Sequence, residues 1–491
     1  MQSFICSVLA LGVILCLSNH LVLCGNPGFK ARLTQKGVDY LRDVGIDILK
    51  KELSSLSIPD MSGTSHIGVG KVDYTVSNMR FTSLGIPSPS LLPNPTIGGV
   101  ELSANGLSLS LSGDWRYKAK IAFIPVKDHG TFDMSASGIS LRLAIRIGVD
   151  SFGRPTISSR DSDCSFGLGS LHVKFHGGAS WIYNLFDDGI ESSLKKSIRN
   201  EACKEIRKEV NEDLSKEVAK LKVVAKIDNI AEIDYSLVSP SNFYGAINME
   251  NKGEVFPIGK RNEAPFPVPL IPDDPDTRHM LEIYITEFLL ESAGFVYYSA
   301  GFFQYNLTQD KIPPDELSLD TSSLTVQSTI SELKKLFPNM LLQVNVKASR
   351  SPEVIMTPDA LNGTAQMDAK FFVQLPNKTL HYICTMEYTA HASAILGVQG
   401  NDLTWNATYV GVDVKLVESN IGKIDMKFMR GAVDLVDLAM LSKLMPWLND
   451  EGKKGIPLPS VDDVSFENPV LTLKQGYFKL GVDVSYKGVK K

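Results

Sequence analysis

The amino-acid sequence predicts an α+β fold made of two similar halves, each combining antiparallel strands with a long helix. Three observations support this prediction. Segments with apolar residues at every second position recur throughout the 491 residues. Long amphipathic helical patterns separate these segments in both halves. Between the halves, the stretch EAPFPVPLIPDDPD (263–276) places five prolines in fourteen residues, which is typical of a stiff, extended spacer.

The bulk composition indicates an ordinary globular chain of two or more domains. Hydrophobic residues make up 43% of the sequence and charged residues 21%. The formal net charge of −5 gives no overall basic field, so nucleic acid is not expected as a partner. The first half is mildly cationic and the second is acidic.

The first 25 residues read as a secretory signal peptide. An apolar run from Ile5 to Leu17 is followed by small residues near Gly25, although a basic start is missing. The alternative is a membrane anchor, but Ser18-Asn19-His20 interrupts the run before it reaches a spanning length. We therefore predict a secreted, extracellular protein, released directly or after storage in granules.

The cysteines and glycosylation motifs fit this prediction. Cys164, Cys203 and Cys384 remain after the leader, and an oxidising compartment favours one disulfide and one thiol. Cys164 and Cys203 share the first half, which favours their pairing and leaves Cys384 as a buried thiol. Four sequons for N-glycosylation all lie in the second half, at Asn306, Asn362, Asn377 and Asn406.

In the first half, a helical pattern begins at Thr34, a candidate N-cap, and ends at Ile58-Pro59. Alternating segments then predict antiparallel strands: KVDYTVSNMRF, VELSANGLSLSLSG, YKAKIAFIPV, TFDMSASGISLRLAIRIGV and SLHVKFHG. A long amphipathic helix is predicted from about 179 to 223, lying along a sheet or barrel.

The second half repeats this order loosely. A helix is predicted near 279–291, a short one in STISELKKLFP, and another in GAVDLVDLAMLSKLMPWL. The predicted strands are LLQVNVKAS, AKFFVQL, LHYICTMEY, TWNATYVGVDVKLV, VSFENPVLTLKQ and YFKLGVDVSYK.

The apolar strand faces of the first half are numerous enough to line a cavity. A plain filled core explains the same pattern, and the pattern alone does not decide between them. The residues concerned are Leu107, Leu109, Leu111, Ile139, Leu141, Leu143 and Ile145.

The motifs of common enzymes are missing from the sequence. It has no G-x-S-x-G elbow, no H-E-x-x-H, no P-loop and no dinucleotide fingerprint at a strand-to-helix junction. His172 and His176 lie on a predicted strand and turn, where a spacing of four does not bring two ligands together. We therefore expect neither catalytic residues nor a metal site, and no cofactor.

The segment SGDWRYKAKIAF (112–123) carries the most distinctive surface pattern. Arg116, Lys118 and Lys120 share one strand face, and Trp115 and Tyr117 share the other. Such a hairpin can bind anionic phosphates while its rings enter the lipid interface. An edge strand kept soluble by positive charge is an equally good explanation. Lys50 and Lys51, at the end of the first helix, are candidates to extend the cationic patch.

Several motifs together resemble the family of bactericidal permeability-increasing and lipopolysaccharide-binding proteins, which also includes lipid transfer proteins. The similarity extends over the whole mature chain with the motifs in the same order. They are NPGFKARLTQKGVDYL, KELSSLSIPD, the Gly113-Asp114-Trp115 hairpin, Cys164 and Cys203 flanking the start of the long helix, the proline linker, LFPNM and FKLGVDVSYK.

The resemblance implies an elongated boomerang of two pseudo-symmetric lobes, each an antiparallel β-barrel with a long helix. A central β-sheet would join them, with strands from about 224–255 and 461–488, beside the proline-rich linker. The implied domains are a signal peptide at 1–25, lipid-binding domains at 26–262 and 278–491, and the linker at 263–277.

The resemblance also implies a monomeric, non-enzymatic protein of innate immunity that binds lipopolysaccharide at the outer membrane surface of Gram-negative bacteria. Each lobe would hold an apolar pocket for phospholipid, and the disulfide would be Cys164–Cys203. Trp115 and Tyr117 would act as membrane-interface aromatics. The candidate lipopolysaccharide-binding residues are Lys50, Lys51, Arg116, Lys118, Lys120 and Lys127.

The charge pattern departs from that of antibacterial members, whose N-terminal lobe is strongly basic. Here that lobe is near neutral, LFDDGIES places two aspartates near the start of the long helix, and Asp114 lies among the cations. Strong membrane disruption is therefore in doubt. The alternative function is a general phospholipid carrier with little bactericidal activity.

Overall fold

The computed structural model describes residues 26–52, 60–67, 70–121, 124–178, 196, 201–219, 222–311, 318–400, 402–424, 445–457 and 464–486. The predicted leader (1–25) lies outside these ranges, as do most of the first part of the long helix and residues 425–444. Within the described ranges, none of the helices combines the length and the apolar character needed to cross a bilayer.

The first lobe is built on an antiparallel sheet, here called the N-terminal sheet. Its long central hairpin pairs Gly99–Ile121 with Ile124–Val149, and apolar side chains at alternate positions form its packed inner face. The other strands are Met61–Ile67, Gly70–Gly85, Pro89–Asn94, Pro155–Ser158, Cys164–Gly167 and Ser170–His176.

The second lobe contains the C-terminal sheet, which is also antiparallel. Leu361–Gln374, Leu380–Gln399 and Asp402–Ser419 form its meandering centre. The remaining strands are Gln304–Leu307, Leu341–Ala348, Glu353–Met356 and Ile456–Pro457. The predicted strands of this lobe are confirmed, and three of them are longer than their apolar patterns indicated.

A central sheet joins the lobes with strands from distant parts of the chain. Their spatial order is Ala246–Asn251, Phe29–Thr34, Leu281–Thr286, Tyr477–Tyr486 and Val464–Lys474. The predicted strands at 464–486 are confirmed, but only part of 224–255 belongs here. Val224–Lys226, Ala231–Asp234 and Glu254–Pro257 form a separate three-stranded sheet.

The predicted helix at 279–291 is wrong in its first half. Leu281–Thr286 is a strand whose side chains are almost all buried, because it lies inside the central sheet, and the helix spans Glu287–Ser299. The first predicted helix is confirmed at Gln35–Glu52, where the Thr34 hydroxyl accepts a hydrogen bond from Gly37 N–H at 3.4 Å.

The described part of the predicted long helix is helical. Residues 201–208 lead into a π-helical segment, Glu209–Leu214, and then into Ser215–Ala219. The other described α-helices are Leu324–Thr329, Leu333–Leu336 and Met445–Lys454. The two-lobed α+β class is confirmed, whereas the domain limits proposed from the sequence stay predictions.

The cysteine predictions are also confirmed. Cys164 and Cys203 form a disulfide that ties the N-terminal sheet to the long helix. Cys384 is a buried thiol, and burial raises its pKa to about 12, so it stays protonated at neutral pH.

The proline linker lies against the central sheet and is held by charges. Lys479 extends from the sheet, with its Nζ 2.6 Å from Asp274 Oδ2 and 3.1 Å from Asp276 Oδ2. The same Nζ lies 3.2 Å from Oε1 of Glu282, a carboxylate with no exposed surface. The linker is therefore fastened to the central sheet by partly buried ion pairs.

The start of the linker contacts a second buried carboxylate, Glu254. The Ala264 N–H donates to Glu254 Oε1 at 2.7 Å, and Lys252 Nζ lies 3.6 Å from Oε2. Burial, reinforced by the nearby charge of Glu263, raises the pKa of Glu254 to about 7, while Lys252 opposes the shift. Glu291 is similar, because burial and the charges of Glu287 and Glu353 raise its pKa to about 7.

These raised pKa values predict that stability falls as pH rises. Between the ordinary pKa of 4.5 and about 7, the folded protein keeps a proton on Glu254 that the unfolded chain has lost. We expect the Tm to fall across this window, and Glu254→Gln to make the fall shallower. Thermal melts at a series of pH values test this, with exposed Glu212→Gln as the control. Equal slopes for the wild type and Glu254→Gln would contradict it.

Candidate functional site

The candidate site lies at the end of the N-terminal sheet that is remote from the central sheet. Arg116, Lys118 and Lys120 are exposed at alternate positions of one strand, and Lys127 is exposed on the next. Lys118 and Lys127 are directly opposite each other in the antiparallel pairing. Four cations from two strands therefore share one end of one sheet face, here called the cationic face.

Neighbouring strands add residues that the sequence pattern alone did not single out. Across the sheet, Asp73 is opposite Lys118, and His129 is opposite Arg116. Lys71 precedes Asp73 by two positions, and its Nζ lies 3.3 Å from Asp73 Oδ1. The sequence pattern could not reveal these residues without the strand register, because they are up to 58 positions apart in the chain but adjacent in the sheet.

The four predicted cations are not held in ion pairs by the carboxylates that the structure describes near them. Among the residues that the structure describes, none forms an ion pair with Arg116, Lys118, Lys120 or Lys127. Asp73 instead accepts a hydrogen bond from Thr64 Oγ1 at 2.6 Å. The cationic face can therefore offer several charged donors to an anion, and phosphate is the anion for which such donors are best suited.

A groove of about 1050 Å³ opens beside this face. Its lining combines charged, hydroxyl and aromatic groups from four strands. The residues are Ser62, Gly63, Thr64, Asp73, Tyr74, Thr75, Arg116, Tyr117, Lys118, Lys127, Asp128 and His129. A ligand in the groove would meet both cations and hydroxyl groups.

The interfacial role predicted for Trp115 and Tyr117 is wrong for this structure. Trp115 is only 7% exposed and Tyr117 only 4%, and both belong to the apolar cluster inside the sheet. Their rings stack at 5.8 Å, and Trp115 Nε1 donates to the Thr131 carbonyl at 2.9 Å. Burial raises the pKa of Tyr117, which agrees with a core position.

The turn of the cationic hairpin also differs from the prediction. Gly113-Asp114-Trp115 lies within a strand, and the two long strands are joined through residues 122–123 instead. Gly113 is required by close packing, because a Cβ there would lie 2.8 Å from the Phe132 ring. Asp114 accepts a hydrogen bond from Asn78 Nδ2 at 2.6 Å.

The remaining predicted site residues fall into separate groups. Lys50 and Lys51 end the first helix, but their side chains lie outside the described residues. The inner face of the N-terminal sheet is a packed cluster, with Leu107, Leu111 and Ile139 buried in it. The predicted pair of lipid pockets stays a prediction.

The histidines that had been considered as metal ligands take part in ordinary surface contacts. His176 Nε2 lies 2.8 Å from Asp133 Oδ2, and His172 is opposite Ser135 on the sheet. Within the described part of the chain, there is no group of three or more His, Cys, Asp or Glu side chains suited to holding a metal ion.

Comparison with known proteins gives matches along almost the whole chain. Residues 37–216 match the sequence model of the LBP / BPI / CETP family, N-terminal domain. Residues 225–486 match that of the same family's C-terminal domain. The match to the C-terminal domain thus includes the small sheet and the linker.

Curated relatives and a solved structure agree with these matches. Bactericidal permeability-increasing protein of Sebastes schlegelii is 32% identical, covering 94% of this chain and 96% of the relative. Human lipopolysaccharide-binding protein is 29% identical, covering 97% of each. A crystal structure of lipopolysaccharide binding protein is 28% identical, with a TM-score of 0.62, covering 94% of this chain and all of that one.

Proposed function

The chain belongs to the LBP / BPI / CETP family, and on that premise we propose that it is a secreted protein that binds lipopolysaccharide of Gram-negative bacteria. The observation that supports this proposal is the cationic face. Lipid A carries phosphates, and Arg116, Lys118, Lys120 and Lys127 present charged donors from adjacent strand positions. The protein would act by binding, as a monomer without a catalytic step.

The proposal includes an acyl-chain site in each lobe that holds phospholipid without any other cofactor. Apolar pockets with few polar groups suit acyl chains. Such binding would stabilise the fold by linkage, because the ligand binds the native state alone. Binding of lipid A to the cationic face would leave these inner sites available, so the protein could hold both kinds of lipid.

The second candidate function is a general phospholipid carrier, and one observation favours it. Asp73 and Asp114 lie among the cations on the same sheet face, so this face is less positive than four cations alone would make it. A weaker field would reduce the attraction of the face to an anionic bacterial surface. Antibacterial or endotoxin-neutralising activity would then be small.

Lipid capture by the purified full-length protein separates the two functions. We expect extraction and mass spectrometry to find phospholipid, and immobilised lipopolysaccharide to bind the protein in competition with free lipid A. Binding of zwitterionic phospholipid vesicles serves as the control. Phospholipid uptake without measurable capture of lipid A would favour the carrier, and an absence of both would contradict the proposal as a whole.

A further inference from the structure

Four leucines are exposed at the end of the C-terminal sheet that is remote from the central sheet. Leu324 is 86% exposed, Leu336 52%, Leu380 43% and Leu341 39%. Together they are called the distal apolar patch. Large apolar side chains grouped on a surface mark an interaction site or an aggregation hazard, unlike single ones, which are common.

Strand pairing shows that two members of the patch lie at the same end of the sheet. Leu341 is opposite Gln374, and Gln374 is opposite Leu380 on its other side. The Phe337 ring, next to Leu336, lies 5.3 Å from the ring of His381, next to Leu380. Leu336 therefore lies at the same end as Leu341 and Leu380.

Backbone contacts bring Leu324 to the same place. Asp320 forms a β-bridge with Leu341, and the Asn339 N–H donates to Ser322 Oγ at 3.0 Å. The helix that begins at Leu324 is capped by Ser323, whose hydroxyl accepts from Val326 N–H. Leu324 thus starts a helix immediately beside the sheet end.

A glycosylation motif lies in the turn between Gln374 and Leu380, next to this patch. Asn377 is exposed between Gln374 and Leu380, in the hairpin that ends at the patch. Its Oδ1 accepts from the Thr379 hydroxyl at 2.6 Å and from the Thr379 N–H at 3.1 Å. The two polar residues of the sequon are therefore in contact, within an exposed turn.

We propose that Asn377 carries an N-linked glycan and that this glycan covers the distal apolar patch. A glycan is bulky and strongly hydrated, so it can shield apolar side chains that the protein itself leaves exposed. Its attachment point is within one hairpin turn of Leu380. The inference rests on the proposed secretion, because N-glycans are added in the secretory pathway.

The sequon at Asn362 provides a contrast within the same lobe. Asn362 is half-buried, and its Oδ1 accepts from Ser393 Oγ at 2.7 Å across the sheet. Asn306 and Asn406 are exposed on strands, away from the four leucines in the pairing order. Asn406 is thus the matched control, exposed and glycosylatable but remote from the patch.

Peptide mapping of the secreted protein with and without glycosidase tests attachment, and light scattering over a concentration series tests shielding. We expect a glycan at Asn377 and a monomeric wild type. Asn377→Gln should self-associate about tenfold more tightly than the wild type does. The double variant Asn377→Gln/Leu324→Glu should be monomeric again. Asn406→Gln should behave as the wild type does. Equal melting curves for all variants would show that each one folds.

The outcomes separate this inference from the proposed secretion. If the expressed protein stays inside the cells and none of Asn306, Asn377 and Asn406 carries a glycan, the proposed secretion is wrong, whereas a secreted protein that lacks all three glycans overturns the inference alone. A glycan at Asn306 or Asn406 with a bare Asn377 overturns the inference alone. Two further results would overturn it: dimerisation of the glycosylated wild type, or its binding to phosphatidylserine vesicles, if Leu324→Glu abolishes the effect. In either case the patch would be an open docking surface and not one covered by a glycan.

Discussion

Replacement of Arg116, Lys118 and Lys120 by alanine is expected to weaken binding of lipid A by about a hundredfold or more at low salt. The estimate follows from roughly 1 kcal/mol for each exposed cation near an anionic lipid surface, and the three losses add. All three side chains are exposed and unpaired among the described residues, so they are available to phosphate. Titration of labelled lipid A measures the change.

A matched control removes the same charge elsewhere. Lys347, Lys370 and Lys415 are exposed on strands of the C-terminal sheet, and their replacement by alanine should leave the affinity unchanged. Added salt should weaken lipid A binding by the wild type more than binding by the variant that lacks Arg116, Lys118 and Lys120, because salt screens the charges that this variant has lost. If the triple alanine variant and the wild type bind lipid A with equal affinity, these cations serve only to keep the strand that carries them soluble.

Lys479→Met is expected to lower the free energy of unfolding by about 3–5 kcal/mol. This substitution leaves Glu282, in a site with no solvent exposure, with Arg32 Nη1 at 3.6 Å as its remaining cation, and removal of one partner of a buried ion pair typically has this cost. It also frees Asp274 and Asp276, so the linker should become more sensitive to proteases. Urea denaturation and limited proteolysis measure the two effects.

The control and the double variant show whether the ion pairs are responsible. Lys474 is exposed on the adjacent strand, and Lys474→Met should change stability by less than about 0.5 kcal/mol. Lys479→Met/Glu282→Gln should be less destabilised than the sum of the single variants by about 0.5–3 kcal/mol. Strict additivity, or a loss below 1 kcal/mol for Lys479→Met, would argue against a buried network.

Strands with one face to the core were predictable from the sequence, and strands buried on both faces were not. Ile124–Val149 alternates between buried and exposed side chains, so period-two apolarity revealed it. Leu281–Thr286 also alternates apolar and polar residues, but it has only six residues and its polar side chains are buried inside the central sheet. Because this short strand runs directly into the helix Glu287–Ser299, the two elements together were interpreted as one helix.

The candidate site was predictable in part for a related reason. Alternation correctly separated Arg116, Lys118 and Lys120 from Trp115 and Tyr117. It did not show which face points inward, since an aromatic ring suits both a core and a lipid interface. The family resemblance supplied the disulfide pairing, which lies outside what spacing can decide, because the two cysteines are 39 positions apart.

The composition of the central sheet bears on the order of folding during synthesis. Phe29–Thr34 is among the first segments made, yet its partner Leu281–Thr286 emerges some 250 residues later, and Tyr477–Tyr486 emerges last. Contacts between such distant segments form slowly, whereas the hairpins of each lobe join neighbours in sequence. Each lobe can therefore acquire its sheet before Tyr477–Tyr486 has been made, and the central sheet that joins the lobes is completed only afterwards.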